Sequence, residues 1–216
     1  MLSYFGLIER WRYRILLAVL LVTILLQPLL TGLASGEAVQ ILAYGAILAG
    51  GVYATRPQPW VSALCWALAF VLVGLSWYFL FSGPSELTVA LVVVTFLFGT
   101  FTASRTLITL VSAPAADADA LAGAVFGYFL LVVGWALFFQ ALETWSPGAF
   151  ALAADGDPFT ELLYFSLVTI TTLGYGDISP ITPFARISTG LEAAMGTLYI
   201  AILIARIVGA LSDRRE

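Results

Sequence analysis

The chain alternates long apolar runs with short polar interruptions. Six of the runs approach or exceed the roughly 20 residues that carry a helix across the hydrocarbon core of a bilayer: 15–33, 38–53, 60–81, 87–111, 120–142 and 184–209. A further apolar stretch, 159–170, is too short to span. It follows Asp157, whose carboxylate suits an N-cap, and Pro158, which suits the first helical position. The pattern therefore predicts a re-entrant helix over 158–170, about 18–20 Å long at 1.5 Å per residue, enough to reach mid-membrane. Its C-terminus, the negative end of its dipole, points inward and favours a cation there. Chain continuing beyond it without helical structure is tolerated in a bilayer only where protein buries it or water lines it. The expected fold class is an all-α membrane protein. A four-helix module leads into a fifth spanning helix, the re-entrant segment and a sixth spanning helix.

Composition narrows the function. The chain is 61% hydrophobic and 10% charged, against roughly 25% charged residues in a soluble domain, which excludes a soluble class. All nine basic residues are Arg and there is no His, so neither an imidazole pH switch nor a His metal site is available. The single Cys65 rules out an intrachain disulfide or a Cys zinc cluster and reads as a small buried hydrophobe. Arg10, Arg12, Arg14, Arg56, Arg214 and Arg215 fall on one side if both termini are cytoplasmic, as the positive-inside rule requires. Glu37, Glu86, Glu143, Asp155 and Asp157 then face outward, with Glu161 and Asp177 nearby, making a cation-attracting outer surface. Residues 1–14 mix Tyr4, Phe5, Trp11 and Tyr13 with three Arg. They suit an interfacial anchor on membrane lipids, or an ordinary flank obeying the charge rule. The same start, with 15–26 and Ala34-Ser35-Gly36, also fits a cleavable signal peptide, which would leave five crossings. Arg without Lys is an association with GC-rich bacterial genomes, so the expected location is a bacterial inner membrane.

The most informative stretch is 171–177, Thr-Thr-Leu-Gly-Tyr-Gly-Asp. Backbone carbonyls held by two glycines and a Thr hydroxyl can replace the water shell of a dehydrated cation. Gly174 and Gly176 allow positive φ, which lets successive carbonyls face one axis. The heptapeptide resembles the selectivity filter of the tetrameric potassium channels, usually Thr-Val-Gly-Tyr-Gly-Asp, with Leu173 where Val is commonest. The resemblance runs from about Pro158 to Gly209, and includes the Thr-rich approach (Thr169, Thr171, Thr172) and Pro180 after the Asp. It implies a homotetramer around one central pore, each chain supplying a quarter of the ring. It also implies a filter of Thr172, Leu173, Gly174, Tyr175 and Gly176, with potassium held at Thr172, Leu173, Gly174 and Tyr175. Apart from the permeant ion no cofactor is expected, and no nucleic acid. Leu173 contributes its carbonyl, and Tyr175 is expected to turn outward as a spacer against the pore helices.

Thr171, Tyr164, Phe165, Val168 and Asp177 are the expected filter supports, and Tyr164, Phe165 and Val168 mark departures from the family. Tyr164 and Phe165 stand where many members carry a Trp pair bonding the filter. Tyr164 can still donate to Asp177, whereas Phe165 has no donor. Val168 stands where some bacterial members have a Glu that partners the filter Asp. Two inner-helix residues are gating candidates. Gly196 falls where the family often has a hinge glycine, and close helix packing explains it equally. Glu192 lies at the depth of the re-entrant helix, where an ionisable group costs several kcal/mol unless partnered. It reads either as hydrogen-bonded to a Ser or Thr behind the filter, in protonated form, or as a titratable gating element. Arg206 is expected to snorkel to the cytoplasmic interface, and Arg186 to pair with an acidic loop residue.

The expected domains are a cytoplasmic interfacial start (1–14), the four-helix module (15–112), a short linker (113–119), the pore domain (120–211) and a tail (212–216). Within the pore domain the outer helix covers 120–142, the pore helix 158–170, the filter 171–177 and the inner helix 184–209. The fourth segment holds only Arg105. One charge moved through 100 mV supplies about 2.3 kcal/mol, so steep voltage gating is not expected. The tail and linker are short, so ligand control is expected from a separate regulatory subunit, and each four-helix module is expected to pack on its own subunit's pore. The expected function is a potassium-selective channel and not an enzyme. The alternatives are a weakly selective cation pore and a non-conducting sensing subunit that keeps the filter sequence.

Overall fold

The computed structural model describes residues 11–30, 42–47, 49–51, 74, 94, 96–97, 99–105, 107–108, 118–153 and 156–212, with backbone alone for 118 and 207–212. Most of them are helical, and among them there is no strand beyond one isolated bridge. Four helices follow in chain order: α1 (Arg12–Leu30), α2 (Ala118–Trp145), α3 (Pro158–Ile170) and α4 (Pro183–Ser212). Three of them contain stretches long and apolar enough to cross a membrane: Arg12–Leu30, Asp119–Trp145 and Pro183–Arg206. Residues 42–47, 49–51 and 99–105 are also helical. Nearly all of the expected third span, part of the second and about half of the fourth lie outside the described residues, as do Glu37, Glu86, Asp155, Cys65, Arg10, Arg56, Arg214 and Arg215.

The sequence places α2 at 120–142, whereas the helix begins two residues earlier, taking in Asp119 from the expected linker, and runs on to Trp145. Asp119 has a reason to be there. Its Oδ1 accepts a hydrogen bond from the Arg14 backbone N–H at 3.3 Å, one of the first-turn amides that α1 cannot bond internally. This contact places the N-terminal ends of α1 and α2 side by side. Tyr13 lies flat against Gly123, where an added Cβ would stand 2.9 Å from the ring. Above it Leu20, Ile47 and Ala103 pack with Phe126 and Leu130 of α2 in one buried cluster. Tyr44 meets Phe159 of α3 edge-on at 5.9 Å, so described parts of the N-terminal module touch α3 of the same chain. Two polar side chains of α1 find acceptors or donors within the N-terminal module: Thr23 donates to the Val19 carbonyl, and Gln27 accepts from Tyr44 Oη.

α4 runs antiparallel to α2. Near its far end the Tyr199 hydroxyl donates to the Ala124 carbonyl at 2.7 Å, while at its start Phe184 meets Phe138. α3 is wedged between them. Asp157, in extended backbone at φ −72°, ψ 117°, caps it by accepting from Thr160 N–H and Oγ1, and Pro158 opens the first turn. Its outer half lies in an aromatic cluster in which Phe165 packs on Phe139 and Phe150 at 5.5 and 5.4 Å. The connection from α2 to α3 is braced by Glu143, whose carboxylate accepts from Gly148 and Phe150 amides. It is tied to the chain after the 171–177 loop by the Phe150–Pro180 bridge, with Ala151 donating to Ser179 and Ile181 donating to Ala149.

The Tyr13–Gly123 contact can be tested directly. Gly123→Ala should lower stability by about 1–3 kcal/mol, the usual penalty for overpacking a filled site. Pairing it with Tyr13→Ala should recover part of that loss. Thermal melting of the detergent-solubilised protein checks this, and a purely additive double mutant would contradict the contact.

Candidate functional site

The site grows out of the C-terminus of α3. A helix ends with carbonyls that have no internal partner, and here the following segment supplies the donors. Thr171 and Thr172 amides return to Leu167 and Thr169, at 3.4 and 2.9 Å. Leu173 and Gly174 amides both reach the Val168 carbonyl, at 2.9 and 3.3 Å. The Thr171 hydroxyl adds a bond to Leu167 at 2.6 Å. Four successive N–H groups are thereby turned back toward the helix. Among the described residues nothing donates to the carbonyl oxygens of 172–176.

Backbone handedness supports this arrangement. φ is positive at Thr172 (60°), Gly174 (59°) and Gly176 (81°), and not at Leu173 or Tyr175 between them. Alternating handedness rotates each peptide plane against the last, so that amides gather on one side and carbonyls on the other. Gly174 and Gly176 take positive φ without cost, whereas Thr172 is β-branched and carries strain there. Such strain persists only where the surroundings over-determine it, as the amide bonds on either side of Thr172 do.

Tyr164, one turn and a half before the end of α3, donates to Asp177 Oδ2 at 2.7 Å, and the Ile178 amide donates to Oδ1 of the same carboxylate. The Tyr164 bond holds the Asp177 carboxyl below its ordinary range. Val168 has its side chain buried and offers Asp177 nothing; its contribution is its carbonyl. Leu173 and Tyr175 are 55% and 68% exposed. Tyr175, expected to turn outward as a spacer against the pore helices, is thus largely open within the single chain. Arg186 donates from Nε to the Pro180 carbonyl at 3.2 Å, which the first turn of α4 brings within reach; the loop residue Asp155, an expected acidic neighbour, lies outside the described residues.

Behind the loop, Glu192 is fully buried and bonds to Ser166 on α3. Gly196, four positions further and so one turn along the same face, has the end of α3 pressed against it. A Cβ there would run into the Ile170 carbonyl and side chain. Two residues of this region escape a reading of the sequence. Tyr128 on α2 donates to the Ile170 carbonyl at 3.1 Å, and Tyr199 on α4 packs against Tyr128 at 5.7 Å. The only sequence signal was a tyrosine hydroxyl in the middle of an apolar span, which requires a partner. Among the described residues no group of three or more His, Cys, Asp or Glu side chains could hold a metal ion.

The Tyr164–Asp177 bond has a signed pH dependence. Because the Asp177 carboxyl is lowered, the bond's contribution is present above the ordinary value of 3.8 and disappears as pH falls through the lowered one. Tyr164→Phe should thus melt below wild type at neutral pH and converge with it in acid. A gap that persists in acid would mean the hydroxyl acts elsewhere.

Residues 128–213, from the middle of α2 through α4, match a family model described as "Ion channel". The chain is similar to Two-pore potassium channel 5 of Arabidopsis thaliana, with 37% identity over 59 residues, 27% of this chain and 14% of the relative. It is similar to Potassium voltage-gated channel protein shk-1 of Caenorhabditis elegans, with 38% identity over 80 residues, 33% of this chain and 15% of the relative. Inward rectifier potassium channel Kirbac3.1 of Paramagnetospirillum magnetotacticum is 37% identical over 86 residues, 34% of this chain and 29% of the relative. The chain thus spans less than a third of the length of these relatives. No solved structure matches significantly.

Proposed function

We propose, for a chain that belongs to the potassium-channel superfamily through its C-terminal pore segment, a potassium-selective channel that conducts passively down the electrochemical gradient. The observation that carries this reading is the segregation within 172–176: the amides of 172–174 committed to α3, the carbonyls unclaimed among the described residues, handedness alternating. A column of such oxygens, together with the Thr172 hydroxyl, replaces the hydration shell of a dehydrated potassium ion. The carbonyls of Thr172, Leu173, Gly174 and Tyr175 are the proposed ligands, and the C-terminal end of α3 adds the negative end of its dipole.

One chain supplies only one side of such a column, so the functional unit is proposed to be a homotetramer. The bare faces of the single chain support this. Leu173 and Tyr175 are open, and Phe184, Ile187, Leu191 and Leu198 form an exposed apolar stripe along α4. The Tyr175 side chain would find its packing on the α3 of a neighbouring copy. Glu192 and Gly196 act behind the filter, where they set how α4 bears on α3. With one Arg in the fourth segment, opening is not steeply voltage-driven. The proposed setting is a bacterial inner membrane with both termini cytoplasmic, following the Arg distribution.

Liposome flux tests the reading. Purified protein should pass potassium far faster than sodium, barium should block it, and Gly174→Ala should abolish it, since a Cβ at φ 59° strains the segment. Equal potassium and sodium flux would favour a weakly selective pore, for which Phe165, lacking any donor for the filter, is the structural reason. Absence of flux under every ion and voltage would favour a sensing subunit.

A further inference from the structure

Glu192 is 0% exposed and lies within the membrane-crossing stretch Pro183–Arg206 of α4. Its hydrogen-bond partner is Ser166 Oγ, which is itself fully buried. The same Ser166 oxygen stands 2.9 Å from the Val132 carbonyl of α2. A serine hydroxyl carries one proton, and a backbone carbonyl can only accept. Both contacts are hydrogen bonds only if Ser166 gives its proton to Val132 and Glu192 supplies the second proton. With a carboxylate at Glu192, one of the two oxygen–oxygen contacts would have no hydrogen in it.

The surroundings favour the acid. Glu192 Oε2 has no hydrogen-bond donor, a small matter for the C=O of an acid and a large one for an unpaired buried carboxylate. Among the described residues no ion pair to Glu192 is formed. Of the titratable groups near it, Tyr128 on α2 has its hydroxyl committed to the Ile170 carbonyl.

We propose that Glu192 is held as a neutral carboxylic acid that donates to Ser166, which donates in turn to Val132. This makes a one-directional relay from α4 through α3 to α2. Ser166 lies two residues before Val168, whose carbonyl receives the Leu173 and Gly174 amides. Glu192 is therefore a positioning residue for the filter: it fixes the turn of α3 on which the filter hangs and touches no ion.

Infrared spectroscopy of the protein in lipid at neutral pH tests the proton directly. A protonated carboxyl C=O band should be present in wild type, absent in Glu192→Gln and shifted in Ser166→Ala. If Glu192→Gln removes carboxylate bands instead, or Ser166→Ala leaves the acid band unmoved, the relay is wrong. Should Glu192→Gln fail to assemble, the Ser166→Ala shift decides alone. The positioning role rests on the channel reading and is read from the potassium-to-sodium flux ratio. Gln keeps a donor and should stay within about twofold of wild type, whereas Glu192→Ala should lower the ratio roughly tenfold, the scale of a buried hydrogen bond lost with its partner stranded. An alanine variant as selective as wild type would overturn that role. A wild-type chain without flux would count against the channel reading, and the infrared result would still decide the relay.

Discussion

The structure depends on one exchange of hydrogen bonds, the return of the 171–174 amides onto the last carbonyls of α3. A helix ending inside a membrane leaves acceptors that water cannot reach, and an extended segment after it leaves donors in the same position. Each solves the other's problem here. The consequence is directional: once the amides face the helix, the carbonyls of the next residues are left without a donor among the described residues. The alternating handedness at 172–176 is thus also the conformation that satisfies the amides of 171–174. The strained Thr172 is the local cost of that arrangement.

The remaining contacts can be ordered by their distance from this exchange. Gly196 lets α4 approach close enough to press on Ile170, and Tyr128 completes the Ile170 carbonyl from α2. Ser166 and Glu192 bind the same turn from the other direction. Further out, Phe139, Phe150 and Phe165 form an aromatic wedge that keeps α3 from rocking. The wedge is held by packing, and among the described residues Tyr164 adds a polar bond, to Asp177.

Much of the framework was legible because it rests on local signals. Asp157-Pro158 located the start of α3, and apolar run length located α1, α2 and α4 to within a few residues. The heptapeptide located the site because backbone requirements leave few alternatives to glycine at 174 and 176. What could not be read was partnership across the sequence. Nothing local to Tyr128 indicates Ile170, and nothing local to Asp119 indicates the Arg14 amide, 105 residues away. A Ser and a Glu separated by 26 positions and lying on different helices meet only through the crossing of α3 and α4.

The bridge between Phe150 and Pro180 gives the loop a mechanical property that its hydrogen bonds alone do not convey. The segment leaving α3 is secured at its beginning by the helix carbonyls and again, shortly after its end, by the Ala151–Ser179 and Ile181–Ala149 bonds. A strand fastened at one end can shed strain by letting the other swing. Fastened at both, it has a fixed contour and can respond only by turning peptide planes in place. Residues 171–177 are therefore held like a string between two posts, and a rearrangement at either post reaches the whole length.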